Sequence, residues 1–576
     1  MFPLRNLPSI GDVLRARAAE GAPKPAFQFL GPSGEVTDHL TYAEVDRKAR
    51  AIAGMLQQHR AFGERVLIVI NPSLDYIAAL YACSYAGAIA IPAYPPGLAP
   101  FSRAVAHVAF IAHDVGARLL LADATVMELR DLMLETEGHL ASLVWIDVGI
   151  VPAGVEEAWR APDLHADLPA FVQYTSGTTG RHKGVVVTHE NLLENMERMR
   201  VLLGAEPEDR SVCWLPPYHD MGLIAGILMV TYFGMSVSLM SPFTFLRKPS
   251  RWIRALSDLS ATITGGAAFA FPFTAARVSD AELADLDLSA LRVVTIAAEP
   301  ITRATIDTFC DRFGPVGFRR AAFLPCYGMA ESTLMCSGGT AETPPITLAC
   351  SRSALSRGRL VLAHGEPGVD LVACGPPIPN LDLIIVDPDT LRLRGERELG
   401  EIWIAGPSVS SGYWGGREFD RTNHGAVLTD PAERLTHPGP FLRTGDLGAT
   451  VAGELYVLGR MLNQLRVGQR RYQAEDLERE VARAHASLKP GGGVVFQMDR
   501  ISDDDAHDLI VVHEVEGRPL ETDVIVAAIR QVLVELFQLI PAQVLLVRSG
   551  TIPKTTSGKV QRQIVRERVL KGELVG

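Results

Sequence analysis

The stretch Phe171-Val-Gln-Tyr-Thr-Ser-Gly-Thr-Thr-Gly-Arg-His-Lys-Gly-Val185 decides how the rest of the chain is read. An aliphatic run enters a loop of Gly, Ser and Thr and leaves it at Lys183. Such a loop turns backbone N–H groups and hydroxyls toward an anion, its glycines allow close approach, and a lysine adds charge. Phosphate binding is the expected use. The spacing does not match the nucleotide P-loop, in which four residues separate the glycines and Ser or Thr follows the Lys. Here Gly177 and Gly180 are too close and Gly184 follows Lys183, so a kinase or GTPase reading falls.

Around this loop the chain repeats one texture from about residue 40 to 330. Helical stretches end at Gly or Pro and short aliphatic runs follow: RVLIVI (65–70), RLLLAD (118–123), LVWIDV (143–148) and RVVTIA (292–297). That alternation predicts α/β layers with largely parallel sheets. From 338 to about 458 the pattern becomes short alternating strands, and after Gly459-Arg460 it becomes an α+β mixture. The expected fold is therefore α/β: a large N-terminal domain over 1–460, followed by a small α+β C-terminal domain over 461–576. The segment 338–375 is a long, weakly periodic connection, of the kind that is usually functional or inserted.

Composition narrows the function. The 576 residues carry 55 Lys and Arg against 66 Asp and Glu, a net charge of −11, which argues against coating nucleic acid. The charged start of the chain does not read as a secretory signal, and the apolar run 76–93 is broken by Ser84, Gly87 and Pro92. A cytoplasmic protein without a transmembrane segment is expected. Seven cysteines, scattered and without a C-x-x-C pair, indicate neither a disulfide framework nor a zinc site.

Four further segments carry polar groups in apolar or turn settings: Trp214-Leu-Pro-Pro-Tyr-His-Asp-Met-Gly-Leu, Tyr327-Gly-Met-Ala-Glu331, Leu442-Arg-Thr-Gly-Asp446, and Pro553-Lys-Thr-Thr-Ser-Gly-Lys559-Val-Gln-Arg562. With the first loop they form five motifs in one order, and the sequence resembles the adenylate-forming superfamily of acyl-CoA synthetases, peptide-synthetase adenylation domains and luciferases. Within it the chain is most similar to the fatty acyl-AMP ligases. The resemblance covers essentially the whole chain, and 338–375 falls where those ligases carry an insertion absent from acyl-CoA synthetases, thought to hamper the movement needed for thioester formation with free CoA.

The resemblance implies a large domain of two α/β subdomains plus a small β-barrel-like one, and a mobile C-terminal lid. It also implies the reaction: attack of a fatty or related carboxylate on the α-phosphate of ATP, release of pyrophosphate, then transfer of the acyl group to the phosphopantetheine thiol of a separate acyl carrier protein. By the same resemblance Thr175, Ser176, Gly177, Thr178, Thr179, Gly180 and Lys183 hold the phosphates, and Glu331 takes Mg²⁺. Glu299, Tyr327, Gly328, Asp446 and Arg460 surround adenine and ribose. Lys559 is the catalytic cation and His219 orients the acid, with a packed histidine as the other reading of His219. Ser241, Thr264, Gly265, Gly266 and Phe269 line the acyl site, core packing being the alternative for its apolar members.

Departures from the family pattern sit at the hinge and the acyl site. Leu462 stands where the hinge usually has a charged residue, Asn463 replaces Asp, and Gly468-Gln469 replaces Arg-Gly; slow or carrier-restricted transfer is expected. Ala268 and Ile296-Ala297 replace Asn and Asn-Gly near the acyl chain, which points away from an ordinary straight-chain acid. The basic tail, with Arg566 and Arg568, is a candidate docking face for an acidic carrier. An acyl-CoA synthetase and a non-catalytic nucleotide- or acyl-binding homologue stay open as alternatives.

Overall fold

The computed structural model describes residues 4–97, 100–152, 154–175, 182–365, 368–416, 422–430, 435–468, 470–500, 503–517, 521–554 and 560–574. Its first sheet has six strands in the order Val144–Asp147, Leu119–Ala122, Arg65–Val69, Ile89–Pro92, Pro169–Thr175 and Lys183–Thr188. All neighbours run parallel except the last pair, where Thr175 lies opposite Lys183. A second sheet of eight strands runs Met335–Gly338, Phe323–Gly328, Val293–Ala297, Ile263–Ala267, Arg210–Cys213, Ser236–Met240, Phe27–Leu30 and Val36–Leu40. It too is parallel inside and antiparallel only at its two edges. The two α/β layers match the expectation.

Local chemistry accounts for the helices between the strands. Thr41 and Glu44 form a reciprocal capping box that opens Tyr42–Gln58, which satisfies two backbone donors the helix itself cannot pair. The apolar run at 76–93 is a buried helix, Leu74–Ala86, closed by Gly87 at φ +68° and followed by the buried strand Ile89–Pro92. No helix among the described residues is long and apolar enough to cross a membrane.

The β-rich region is a four-stranded antiparallel sheet, Asp382–Val386, Gly400–Ala405, Leu442–Val451 and Glu454–Arg460. The 338–375 segment is less irregular than its sequence: it contains an antiparallel hairpin of Thr347–Ser351 with Gly368–Val372 and a short helix, Arg352–Ser356. Cys350, Leu360 and Ala373 pack that segment onto Ala449, Val451 and Tyr456 of the sheet.

Beyond Arg460 come the hairpin of Gln464–Val467 with Arg470–Gln473 and a three-stranded sheet of Leu488–Arg500, Asp503–Val515 and Gln543–Arg548. Helices Ala474–Arg483, Thr522–Phe537 and Arg562–Leu570 accompany them. The KPGGG sequence at 489–493 reads as a turn, yet the strand continues through it with a register shift between Leu488 and Gly493. Gly491 at φ +64° lets the extra residues bulge out.

Candidate active site

In parallel α/β sheets, loops at the carboxyl ends of strands converge on one crevice. That geometry applies here. Trp214, Phe269, Glu299, Gly328 and Thr175 each lie at or just after the end of a strand, and all line one cleft of about 2280 Å³. The antiparallel sheet closes another side with Asp446 and Arg460, and the segment after the hinge contributes Leu462, Glu475, Glu478 and Arg562.

The polar half of the cleft is tightly wired. Asp446 and Arg460 are register partners on adjacent strands, with Nε to Oδ1 at 2.8 Å. The Tyr327 hydroxyl donates to the other Asp446 oxygen at 2.7 Å. The Asp446 carboxylate raises the Arg460 pKa, and burial followed by that same carboxylate raises Tyr327 far above an ordinary phenol. The pair is therefore charged on one side and neutral on the other. Gly328 follows with its α-carbon against the Leu334 carbonyl: a Cβ there would lie 1.8 Å from that oxygen.

Glu331 accepts a 2.6 Å hydrogen bond from the Tyr413 hydroxyl, and the Lys183 ammonium sits 5.1 Å from the centre of the same ring. Tyr413 was not marked by the sequence reading. It is carried in because the Gly412 carbonyl accepts from the Val186 N–H at 3.0 Å and the Trp414 N–H donates to the Gly184 carbonyl at 2.7 Å, which lays this segment along the strand after the phosphate loop. An aromatic in the Gly-rich run Gly412-Tyr-Trp-Gly-Gly is the signal that could have found it.

The apolar half starts at Trp214, stacked on Phe245 at 3.9 Å between ring centres, with Phe269 edge-on at 6.1 Å. Gly265 and Thr264 line this half, and Gly266 lies behind Trp214, where a Cβ would come within 3.2 Å of the indole. Glu299 accepts from the Phe269 N–H at 3.0 Å and so holds the turn at the boundary of the two halves. His219 also lies at that boundary, its Nδ1 2.5 Å from Asp220 and its ring partly exposed. The Ser241 hydroxyl accepts from the Phe243 N–H as a helix cap, and its neighbours Pro242 and Leu246 line the cleft.

Ser176, Gly177, Thr178, Thr179, Gly180 and Lys559 lie outside the described residues. Thr175 and Lys183, which bracket the first loop, and Lys554 and Val560, which bracket the second, all line the cleft. Leu462 is 72% exposed at the cleft's edge, and Asn463 donates to Glu475 at 2.5 Å. Arg566 lines the cleft and the Arg568 guanidinium reaches the Thr551 carbonyl, both side chains being half-buried.

Three cysteines border the same space. Burial pushes the Cys213 thiol up to about 11 and that of Cys374 to about 12, and holds Cys326 well above an ordinary thiol.

The AMP-binding enzyme family matches residues 14–414. The chain belongs to it. The AMP domain of Disco-interacting protein 2-like proteins matches residues 466–575. Medium-chain-fatty-acid–[acyl-carrier-protein] ligase JamA of Moorena producens is 34% identical over 98% of this chain and 95% of its own. Long-chain-fatty-acid–AMP ligase FadD32 of Mycolicibacterium smegmatis is 32% identical over 96% and 92%. Among solved structures, the fatty acyl-adenylate ligase from L. pneumophila in complex with acyl adenylate and pyrophosphate is 30% identical, with a TM-score of 0.74 over 99% of this chain and 97% of that one. This AMP-binding enzyme is a fatty acyl-AMP ligase: it uses ATP to activate a carboxylic acid as its acyl adenylate.

Proposed function

We propose that the enzyme activates a medium- or long-chain fatty acid and passes the acyl group to the phosphopantetheine thiol of a separate carrier protein. The observation that carries this reading is one continuous cleft in which the Tyr327–Asp446–Arg460 cluster faces the aromatic lobe of Trp214 and Phe269. A nucleotide fits the polar half and an alkyl chain the apolar half, so the carboxylate meets the α-phosphate where the halves join.

In this reading Asp446 accepts from the ribose hydroxyls, Tyr327 and Gly328 border adenine, and Thr175 to Lys183 hold the β- and γ-phosphates. Lys559 is the cation that offsets charge developing at the α-phosphorus. His219 and Glu299 position the carboxylate, and residues 461–576 act as a lid turning at Leu462. Among the described residues no three His, Cys, Asp or Glu side chains form a metal cluster. Glu331, a single hard carboxylate on the cleft wall, fits Mg²⁺ whose other ligands are water and nucleotide phosphates. Bound there, the ion would neutralise phosphate charge, and Tyr413 fixes the carboxylate that holds it.

Acid-dependent exchange of labelled pyrophosphate into ATP tests the first half. Medium-chain acids should support exchange, and Glu331→Gln should raise the magnesium concentration needed. Absence of exchange with any fatty, hydroxy or aryl acid, in folded protein, overturns the reading. Acylation of holo-carrier but not of free CoA tests the second half, and rapid acyl-CoA formation overturns the carrier assignment.

A further inference from the structure

A second cleft, of about 730 Å³, lies between the 338–375 segment, the loops of the antiparallel sheet and the first elements after the hinge. Arg352, Arg357, Arg359, Arg394, Arg466 and Arg471 line it, against the carboxylates Asp389, Glu398 and Asp476. The nearby acids do not use up these cations. Arg352 reaches Glu480 with Nη2 at 2.8 Å and lies over the Phe537 ring, while its Nε and Nη1 are buried with no hydrogen-bond partner among the described residues. Arg394 pairs with Asp387 at 2.6 Å, and its buried Nε has no hydrogen-bond partner among the described residues. The Arg357 guanidinium bonds the Ser353 hydroxyl at 2.7 Å and no carboxylate among the described residues. Arg359 and Arg471 hold loose contacts, 3.5 Å to Glu398 and 3.8 Å to Asp389. Arg466 has no ion-pair partner among the described residues; its backbone, not its guanidinium, bonds Gln497.

The loosely held guanidinium groups of Arg357, Arg359, Arg466 and Arg471 keep donors to spare at the cleft wall. Their planar fork matches a phosphate better than a single carboxylate, and a cleft in which six arginines outnumber three carboxylates concentrates anions. We propose that this cleft binds a phosphate-bearing anion. Such an anion touches the 338–375 segment through Arg352 and Arg359 and the post-hinge hairpin through Arg466 and Arg471, so it ties the two together across the hinge residues Met461 and Gln464, which also line the cleft. Its presence holds the lid in the arrangement described here. Pyrophosphate and the phosphate of the pantetheine arm share this chemistry.

Calorimetric titration of inorganic pyrophosphate into the full-length protein distinguishes the outcomes. Wild type should show two saturable events, one at the nucleotide cleft and one here. Arg359→Glu/Arg466→Glu should lose the second, and Arg466→Gln alone should weaken it about tenfold. Neither residue touches the nucleotide cleft, so acid-dependent pyrophosphate exchange should persist in both variants, which verifies folding and reports on the proposed reaction separately. One event in wild type, or two events of unchanged affinity in the variants, overturns the proposal. Loss of the second event in the presence of pantetheine 4′-phosphate assigns the site to the carrier arm, and its persistence assigns it to a free phosphate.

Discussion

Asp446 and Arg460 meet across neighbouring antiparallel strands, Nε to Oδ1 at 2.8 Å, and the second Asp446 oxygen is taken by the Tyr327 hydroxyl. Two elements far apart in sequence thus aim one carboxylate. Tyr327→Phe removes that donor and keeps the ring, and the KM for ATP should rise up to about tenfold with stability lower by about 1 kcal/mol. Steady-state kinetics decide it: an unchanged KM means Asp446 is aimed by Arg460 alone.

Glu478 accepts two 2.8 Å bonds from Arg562 and one from the Val495 N–H, and Arg562 also reaches Glu475 at 3.4 Å. Burial raises the Glu478 pKa, and Arg562 draws it back. Arg562→Gln should cost about 3 kcal/mol by stranding a buried carboxylate. Its folded pKa then rises further above the unfolded value, so the variant's deficit grows as pH rises. Glu478→Gln added to Arg562→Gln should recover part of the melting temperature; a double variant as unstable as the single one would sink the ion-pair account.

His189 is buried and neutral: its Nδ1 accepts from the Ile10 N–H at 3.4 Å, and burial lowers its pKa to about 4. The folded pKa lies below that of the unfolded chain, so the unfolded state binds the extra proton and stability falls as pH drops from about 6.5 to 4. This one group contributes up to roughly 3 kcal/mol of that loss. His107, held down to about 3 by burial, by His182 and by Arg103, acts in the same direction. Melting temperatures of His189→Gln across this window should show a shallower slope than wild type.

Added methyl groups should separate two glycines. At Gly328 the clash is with backbone, the Leu334 carbonyl, so Gly328→Ala must displace Tyr327 or its neighbours and should lower kcat/KM for ATP by about a hundredfold. At Gly265 the nearest atom is the Thr295 hydroxyl, 1.9 Å from a built Cβ. Gly265→Ala should cost about 1 to 3 kcal/mol, and Thr295→Ala in the same chain should restore much of it. Steady-state kinetics of Gly328→Ala test the first expectation, and calorimetric unfolding of Gly265→Ala with and without Thr295→Ala tests the second.

Much of this was readable from the chain. Runs such as RVLIVI and RVVTIA are strands because continuous β-branched stretches suit sheets covered on both faces. The motifs that converge on the cleft were legible one by one because each needs a local conformation. What the sequence hid depends on long-range pairing: Tyr413 reaches Glu331 only because its segment lies along the strand after the phosphate loop, and Arg352 meets Glu480 only across the hinge. The cap made by Ser241 is, by contrast, a local feature, since a Ser before Pro242 suits a helix N-terminus.

An acyl adenylate is a strong electrophile, and Cys213, Cys326 and Cys374 border the space in which it forms. Their burial keeps all three as thiols rather than thiolates near neutral pH, so they are poor nucleophiles toward the mixed anhydride. Apolar packing thereby acts as a protecting group: the enzyme can store its activated acid beside its own sulfur without acylating itself, and the bond is kept for a thiol that arrives from outside.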